Sequence, residues 1–257
     1  MSQIALITGV TSGIGEAAAE LLVKNGYRVI ITGRRKERLV AIGDKLKLQH
    51  NGRVHTLHFD VRDKSAVDEA ILGLPEDMAD IDILINNAGL ASGFDPVQDG
   101  DAEDWDKMID TNIKGLLYVT RRVVPGMIER KKGQIVNIGS IAGREVYPNG
   151  NVYCATKHAV DALTKSMRLD LLDKGIRVSQ IAPGAVDTEF SVVRFHGDES
   201  RAEEVYKAYE PLHAADVAET ILFAISRPPH VNINDIFVMP TAQASATAFH
   251  KDAEDTW

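Results

Sequence analysis

The chain has 257 residues, of which 44% are hydrophobic and 26% are charged, a balance typical of a soluble globular protein. This length predicts one large α/β domain over residues 1–257. The formal net charge of −8 argues against nucleic acid or an anionic membrane as the main partner. The single cysteine excludes an internal disulfide, and no apolar run approaches the roughly 18 residues of a membrane-spanning helix. The N-terminus leads directly into a strand without the layout of a signal peptide, so we predict a cytoplasmic protein.

Short apolar runs alternate with amphipathic stretches, which predicts a parallel sheet with helices on both faces. The seven predicted strands are Ile4–Thr8, Arg28–Thr32, Val54–Asp60, Ile81–Asn86, Gln134–Ile138, Arg177–Ala182 and Ile236–Met239. The predicted helices are Ile14–Asn25, Lys36–Leu48, Lys64–Leu72, Trp105–Lys131, Val152–Asp173 and Asp216–Ser226. Gly26 and Gly175 stand where the end of a helix favours a left-handed residue.

Two segments depart from this alternation. Residues 190–212 predict an inserted lid with a short helix at about Ala202–Tyr209. The tail from Thr241 to Trp257 is first small and polar and then charged, so it is either frayed or docked on a neighbouring subunit.

The predicted helix from Val152 bears on assembly, because its apolar positions cover nearly half of its circumference. These positions are Val152, Ala155, Ala159, Val160, Ala162, Leu163, Met167, Leu169 and Leu171. Such a width predicts a second buried contact with another subunit, and the alternative is burial between the sheet and the lid.

A glycine-rich turn follows the first predicted strand and precedes the first predicted helix. Glycines at this place allow a tight turn and let backbone N–H groups approach a pyrophosphate. The candidate cofactor-binding residues of the turn are Gly9, Thr11, Ser12, Gly13, Ile14 and Gly15. A plain turn is the alternative, but the position in an α/β chain favours a nucleotide site.

The second predicted strand is followed by Arg34 and Arg35, where a site for NAD usually offers an acid to the ribose. Arginine suits a 2′-phosphate, so the sequence predicts NADP as the cofactor; a basic helix start is the alternative. After the third strand, Asp60 and Val61 are placed to contact the adenine, or else Asp60 caps the next helix.

Two further loops at strand ends are candidate parts of the cofactor site, because open α/β sheets bind ligands at the carboxyl ends of their strands. The first contributes Asn87, Ala88 and Gly89 after the fourth strand. The second follows the sixth strand and is placed to reach the nicotinamide amide through Pro183, Gly184, Val186 and Thr188.

The chemistry is predicted at Tyr153 and Lys157, which lie on the same face of one helix because they are four residues apart. A confined ammonium beside a phenol lowers the pKa of the phenol and makes it a usable acid or base. Ser140, just past a strand end, is placed to hold a carbonyl or alcohol oxygen. Asn112, inside a long helix, is expected to hold a water or to open the helix locally. The alternative is an ordinary solvated helix face.

Taken together, these motifs resemble the short-chain dehydrogenase/reductase family. The similar segments are Thr8–Gly15, Asn86–Gly89, Asn112, Ser140, Tyr153–Lys157 and Pro183–Thr188. The resemblance implies a Rossmann-type fold with a seven-stranded parallel sheet and assembly into a homotetramer or homodimer. It also implies that Tyr153 is the proton donor and acceptor, that Ser140 orients the substrate oxygen, that Lys157 lowers the tyrosine pKa and binds the nicotinamide ribose, and that Asn112 supports a relay water.

A narrower resemblance is to the NADP-dependent 3-hydroxy acid dehydrogenases, which act on serine, allo-threonine, 3-hydroxyisobutyrate or malonic semialdehyde. It rests on Thr32–Arg35, Asn149–Tyr153, Thr188–Asp198 and Val231–Asn234. Arg144 and Glu145 depart from that group's pattern and leave the exact substrate open.

We therefore predict reversible hydride transfer between NADP and a small 3-hydroxy acid, with no metal ion. The predicted substrate residues are Ser140, Tyr147 and Arg194, with Arg194 preferred over Arg144 as the anchor of the carboxylate. A lid arginine paired with Glu189 or Asp198 is the structural alternative. Other possible functions are a 3-oxoacyl-carrier-protein reductase, a general alcohol dehydrogenase and, more distantly, a non-catalytic NADP-binding regulator.

Overall fold

A computed structural model of the protein describes residues 2–50 and 53–251. Its nine strands in these ranges are β1 (Ile4–Ile7), β2 (Arg28–Gly33), β3 (Val54–His58), β4 (Ile83–Asn86), β5 (Gly133–Ile138), β6 (Ile176–Pro183), β7 (Val186–Asp187), β8 (Leu212–His213) and β9 (Asp235–Val238). The α-helices are α1 (Gly13–Lys24), α2 (Lys36–His50), α3 (Lys64–Leu72), α4 (Glu76–Ala79), α5 (Ala102–Ile109), α6 (Leu116–Glu129), α7 (Asn151–Asp170), α8 (Phe190–Arg194), α9 (Glu199–Tyr206) and α10 (Ala214–Ile225).

Seven of the strands form one parallel sheet in the order β3-β2-β1-β4-β5-β6-β9. This arrangement confirms the predicted Rossmann-type sheet. The strand order reverses direction between β1 and β4, so the loops that follow these strands diverge and leave a crevice at their carboxyl ends.

The sheet is buried on both faces because alternate residues of each strand point to opposite sides. In β1, Ile4 and Leu6 join one apolar cluster, which packs under α3 and α6. Ala5 and Ile7 join the other cluster, which α1, α2 and α10 cover. This explains why the strands read as continuous apolar runs in the sequence.

Two predicted helices differ from the structure. The helix predicted over Trp105–Lys131 begins earlier, and a π-helical turn at Asp110–Gly115 divides it into α5 and α6. The helix predicted over Val152–Asp173 ends at Asp170 and is followed by a 3-10 turn that reaches Gly175. Gly175 has φ of 73°, and Gly26 has φ of 80°, so both occupy the left-handed conformation predicted for them.

Residues 190–212, here called the 190–212 segment, form two short helices, α8 and α9, instead of one helix at Ala202–Tyr209. Strands β7 and β8 pair with each other and close the base of this segment. Among the described residues, no helix has the length and apolar character needed to cross a membrane.

The described part of the tail, residues 241–251, folds back onto its own chain. Gln243 forms a β-bridge with Phe249, and the ring centroid of Phe249 lies 5.1 Å from that of Tyr209 in the 190–212 segment. Fraying, one of the two predicted alternatives, does not describe this part of the tail, whereas docking on a neighbouring subunit stays a prediction. Residues 252–257 lie outside the described residues.

Candidate active site

A cavity of about 560 Å³ opens at the carboxyl ends of the central strands. It is lined by the loops after β1, β2, β4, β5 and β6, by the 190–212 segment and by the tail. Every predicted cofactor-binding and substrate-binding residue lines this cavity except Gly15. Of the four predicted catalytic residues, Ser140, Tyr153 and Lys157 line it, whereas Asn112 lies behind its wall.

The turn between β1 and α1 does not accommodate a side chain at Gly9, Gly13 or Gly15. Gly9 and Gly13 have φ of 71° and 59°, and a Cβ atom on Gly15 would lie 2.5 Å from Nδ2 of Asn87. That amide donates hydrogen bonds to the carbonyl oxygens of Thr8 (2.8 Å) and Gly9 (3.1 Å). Asn87 and Gly15 therefore shape the turn, and the exposed backbone of the turn faces the cavity.

The two arginines after β2 have different surroundings. Arg35 donates hydrogen bonds to Oγ1 of Thr11 and Oγ of Ser12, both at 2.9 Å, and forms an ion pair with Glu189 at 2.7 Å. The exposed side chain of Arg34 lines the cavity and makes no hydrogen bond within the described chain. Arg34 is thus the arginine whose guanidinium can turn to a ligand without breaking a contact.

Asp60 lines the cavity but does not cap the next helix, so that alternative was wrong. The cap of α3 is Asp63, which accepts hydrogen bonds from the backbone N–H groups of Ser65 and Ala66. Asp60 instead pairs with Arg62 at 2.6 Å. Burial opposes the charge on Asp60, but Arg62 outweighs it, so the pKa of Asp60 is lowered.

Tyr153 and Lys157 are both buried on one face of α7, as their spacing predicts. Nζ of Lys157 donates a hydrogen bond to the carbonyl oxygen of Ile138 (3.0 Å) and lies 5.9 Å from the centroid of the Tyr153 ring. Burial lowers the pKa of Lys157 to about 8. Ser140 caps a 3-10 turn through a hydrogen bond from the backbone N–H of Ala142 to its Oγ (3.1 Å).

The predicted direction of the Tyr153 pKa shift is wrong for this structure, because the pKa is raised and not lowered. Burial raises the pKa of Tyr153, Tyr147 adds to the rise, and a hydrogen bond with Ser140 and the charge of Arg194 oppose it. The reason is that desolvation disfavours the phenolate more than these neighbours stabilise it. Tyr153 is therefore a protonated phenol at neutral pH.

Asn112 opens its helix locally, one of the two roles predicted for it, because it lies in the π-helical turn. Its amide accepts a hydrogen bond from the N–H of Leu90 (2.9 Å) and donates to the carbonyl of Leu90 (2.8 Å) and to Oγ1 of Thr156 (3.0 Å). Thr156 in turn donates to the carbonyl oxygen of Tyr153 (2.8 Å). Asn112 thus connects the loop after β4 to the turn of α7 that carries the phenol.

Arg194 lines the cavity beside Tyr147 and Tyr153. Its Nη2 donates a hydrogen bond to the Tyr147 hydroxyl (2.8 Å). Its guanidinium carbon lies 4.7 Å from the ring centroid of Phe94 and 5.4 Å from those of Tyr147 and Tyr153. Its buried Nε has no hydrogen-bond partner in the described part of the chain. The group therefore keeps an unsatisfied donor beside the phenol of Tyr153.

The alternatives considered for this arginine do not occur. Glu189 pairs with Arg35 and Arg38, and Asp198 caps α9. Arg144 pairs with Asp235 and does not line the cavity.

Sequence analysis missed several residues of this site. Phe94 and Phe190 bring aromatic rings to Arg194 and Tyr153, while Gln243 and Phe249 reach the cavity from the tail. Gln243 accepts a hydrogen bond from the backbone N–H of Ala185 (2.8 Å), in the loop after β6. None of these residues has a local spacing that would have indicated its place.

Comparison with known proteins agrees with this geometry. The family model described as short chain dehydrogenase matches residues 3–198. The chain belongs to the short-chain dehydrogenase family and is an oxidoreductase acting on CH–OH groups.

Two relatives and one solved structure are similar to nearly the whole chain. An NADP-dependent 3-hydroxy acid dehydrogenase of Salmonella typhi is 47% identical over 244 residues, 95% of this chain and 97% of that protein. Sulfoacetaldehyde reductase 2 of Chromohalobacter salexigens is 48% identical over 254 residues, 98% of this chain and all (100%) of that protein. The closed form of a serine dehydrogenase complexed with NADP⁺ has 44% identity and a TM-score of 0.91, over 98% of this chain and 100% of that one.

Proposed function

We propose that this enzyme reversibly interconverts a small 3-hydroxy acid and the corresponding 3-oxo acid. The observation that carries this proposal is the position of Arg194, whose guanidinium stacks on Tyr153 and retains a buried, unpartnered Nε. A buried donor without a partner costs free energy, and a bound carboxylate would remove that cost.

The cofactor is NADP, as the sequence predicted. A relative named as NADP-dependent and a solved structure complexed with NADP⁺ align with nearly all of the chain. The site fits this cofactor in three respects. The glycines of the β1–α1 turn leave room for a pyrophosphate, Arg34 presents a guanidinium at the end of β2, and the loop after β6 faces the opposite end of the cavity. When bound, the cofactor would accept a hydride as NADP⁺ in oxidation or donate one as NADPH in reduction.

The residues of the chain would manage the proton and the substrate oxygen. In reduction, the protonated phenol of Tyr153 donates its proton to the developing alkoxide while Ser140 donates a hydrogen bond to the same oxygen. In oxidation, Tyr153 accepts the hydroxyl proton. The raised pKa of Tyr153 favours the proton-donating form at neutral pH, and the ammonium of Lys157 stabilises the phenolate that donation leaves behind.

The carboxylate would be held at Arg194, whose guanidinium lies beside the Tyr153 ring. Arg194 and the Tyr147 hydroxyl offer donors within one hydrogen-bonded pair, and three aromatic rings surround the guanidinium. This environment excludes water and strengthens a charge-assisted hydrogen bond. A substrate with a charge at one end and a hydroxyl near the other fits between Arg194 and Tyr153.

A second candidate substrate is a short sulfonate aldehyde. The sulfoacetaldehyde reductase match covers 98% of this chain, so it reaches into the tail, and the tail lines the cavity through Gln243 and Phe249. A sulfonate is also an anion, and Arg194 would hold it by the same hydrogen bonds. The two candidates differ only in the anionic group.

The experiment compares Arg194→Ala with Arg144→Ala on three classes of alcohol: 3-hydroxy acids, hydroxyalkane sulfonates and uncharged alcohols of similar length. We expect Arg194→Ala to lower kcat/KM for the preferred anion by about 2 kcal/mol and to leave uncharged alcohols nearly unchanged. Arg144→Ala is the matched control, because its guanidinium pairs with Asp235 outside the cavity.

Equal losses on charged and uncharged substrates in Arg194→Ala would indicate a general defect of the 190–212 segment and contradict the proposal. A loss in Arg144→Ala alone would move the anchor to the other loop. The larger kcat/KM of the wild-type enzyme decides between carboxylate and sulfonate.

Assembly into a homotetramer or homodimer remains a proposal. It is supported by exposed apolar side chains, including Leu169 in α7, Leu172 in the turn that follows α7 and Phe223 on α10. Light scattering of the purified protein tests it, and a monomer at working concentration would contradict it.

A further inference from the structure

The chain near Arg194 is fixed to the loop after β4 through its backbone. The N–H of Gly93 donates a hydrogen bond to the carbonyl oxygen of Arg194 (3.0 Å). Gly93 has φ of 76°, and two residues past Arg194, His196 has φ of 55°. A non-glycine residue in the left-handed region costs free energy and persists where other contacts hold it. Here the end of α8 already supplies part of that support, because the N–H groups of His196 and Gly197 donate to the carbonyl oxygens of Val193 (3.3 Å) and Val192 (2.8 Å). The side chain of His196 makes one further contact.

That contact is the carboxylate of Asp104 on α5. Nε2 of His196 lies 3.0 Å from its Oδ2, while Ser92 donates to its Oδ1 (2.7 Å) and Lys107 lies 3.3 Å from Oδ1. The Asp104 side chain is only 5% exposed, whereas that of His196 is 59% exposed. A buried carboxylate with its partners on three different segments is unlike an ordinary surface ion pair, whose contribution is small.

The Asp104–His196 contact joins the loop that carries Phe94 to the segment that carries Arg194. These two residues belong to the proposed anion site. Ser92 precedes Gly93 and Phe94, and the Phe94 ring lies under the Arg194 guanidinium. His196 follows Phe195, whose ring packs edge-on against Phe94 at 6.0 Å. The Asp104 carboxylate thus holds both the loop of Phe94 and the segment of Arg194, whose guanidinium stacks on the Phe94 ring.

We propose that the Asp104–His196 pair is a latch that holds the 190–212 segment against the body and thereby positions Arg194 for the anionic end of the substrate. This inference rests on the proposed function, because it assigns the latch its effect through Arg194. His196 and Asp104 touch neither the phenol of Tyr153 nor the cofactor end of the cavity, so they are positioning residues.

The test replaces His196 by Ala and by Gln, since Gln can place an amide donor where Nε2 stands. We expect His196→Ala to raise KM for the anionic substrate about 10-fold, with kcat changed less than about 3-fold. KM for an uncharged alcohol and the Kd of NADP stay as in the wild type. His196→Gln restores most of the loss. The control is His213→Ala, which removes a His–carboxylate pair with Glu210 that is exposed on both sides and lies just past the other end of the segment.

Hydrogen exchange measures the latch directly and does not require a substrate. Amides of residues 190–197 should exchange faster in His196→Ala than in the wild type, and His196→Gln should return to the wild-type rate. Unchanged exchange and unchanged KM in His196→Ala would overturn the proposal. A fall in kcat on every substrate, or a melting temperature lowered as much by Gln as by Ala, would show a general structural role and also overturn it.

A double variant separates this inference from the proposed function. If the latch acts through Arg194, His196→Ala adds no further loss of kcat/KM in an Arg194→Ala background. If Arg194→Ala alone leaves charged substrates unaffected, the proposed function fails, while the exchange measurement still reports whether the latch holds the segment. Additive losses would show that His196 acts by another route and contradict the proposal.

Discussion

The two ends of the cavity are built in different ways. At the cofactor end, the ligand-facing groups follow β1, β2, β4 and β6, and their positions are set by a sheet buried on both faces. At the substrate end, Arg194, Phe94 and Phe249 come from short helices, a loop and the tail, which depend on a few side-chain contacts. The comparison teaches that the sheet positions the proposed cofactor-binding groups, while the proposed substrate-binding groups depend on segments outside the sheet.

One carboxylate connects the two ends. Glu189, at the start of the 190–212 segment, pairs with Arg35 at 2.7 Å and with Arg38 at 2.6 Å. Two further contacts reach the loop after β6, because Tyr206 donates to the carbonyl oxygen of Val186 (2.8 Å) and Gln243 accepts from the N–H of Ala185 (2.8 Å). With so few contacts between the ends, we expect a variant at one end to act mainly at that end. Each of the following expectations tests that separation.

The largest effect is expected at Tyr153, where the two ends meet. Tyr153→Phe should lower kcat by at least ~10³-fold, because the proton transfer loses its donor, while NADP binding stays close to that of the wild type. Steady-state rates and cofactor titration measure both quantities. Tyr147→Phe is the control for kcat, since it keeps the ring beside Arg194 and removes a hydroxyl that bonds to Arg194 and not to the reacting oxygen. Its effect should fall on KM for the anionic substrate. More than about a tenth of the activity in Tyr153→Phe would remove the phenol from its role.

The residues proposed to bind the cofactor, apart from Gly15, line one cavity, and the sequence could indicate them because their signals are local. The glycines of the β1–α1 turn, the two arginines after β2 and the four-residue spacing of Tyr153 and Lys157 each follow from the neighbouring residues. The substrate end depends on contacts between distant segments, so Phe94 and Phe249 gave no signal. The pKa of Tyr153 was misjudged for the same reason, because burial is the sum of contacts that a spacing does not show.

The next effect tests the cofactor end alone. Arg34→Ser should weaken NADP binding by ~2–3 kcal/mol, since a charge-assisted contact to the 2′-phosphate is lost, and should barely change the binding of NAD. Fluorescence titration with both cofactors measures this difference. Arg38→Ser is the control, because Arg38 pairs with Glu189 and does not line the cavity. Equal losses for NADP and NAD would contradict the assignment.

A smaller effect is expected on stability. Burial lowers the pKa of Lys157 from 10.5 to about 8, so the unfolded chain binds more protons between these values and the free energy of unfolding rises with pH across that window. Lys157→Met should stabilise the cofactor-free protein at pH 7 by about 1–2 kcal/mol and abolish activity. Denaturant unfolding at pH 7 measures the gain in the free energy of unfolding. The same measurement at pH 10 shows the loss of that gain. A destabilised variant at pH 7 would contradict this account of the buried ammonium.

The smallest effect is expected in the tail, which reaches only the substrate end. Phe249 packs against Tyr209 and lines the cavity, so Phe249→Ala removes part of an apolar wall without touching a charged group. We expect KM for the substrate to rise by up to about 5-fold, equivalent to ~1 kcal/mol, with kcat and the Kd of NADP unchanged. Phe249→Leu, which keeps most of the apolar surface, should recover most of the loss. A weaker affinity for NADP would instead show that the tail acts on the cofactor end through Gln243, which holds the loop after β6, and the two ends would then be coupled.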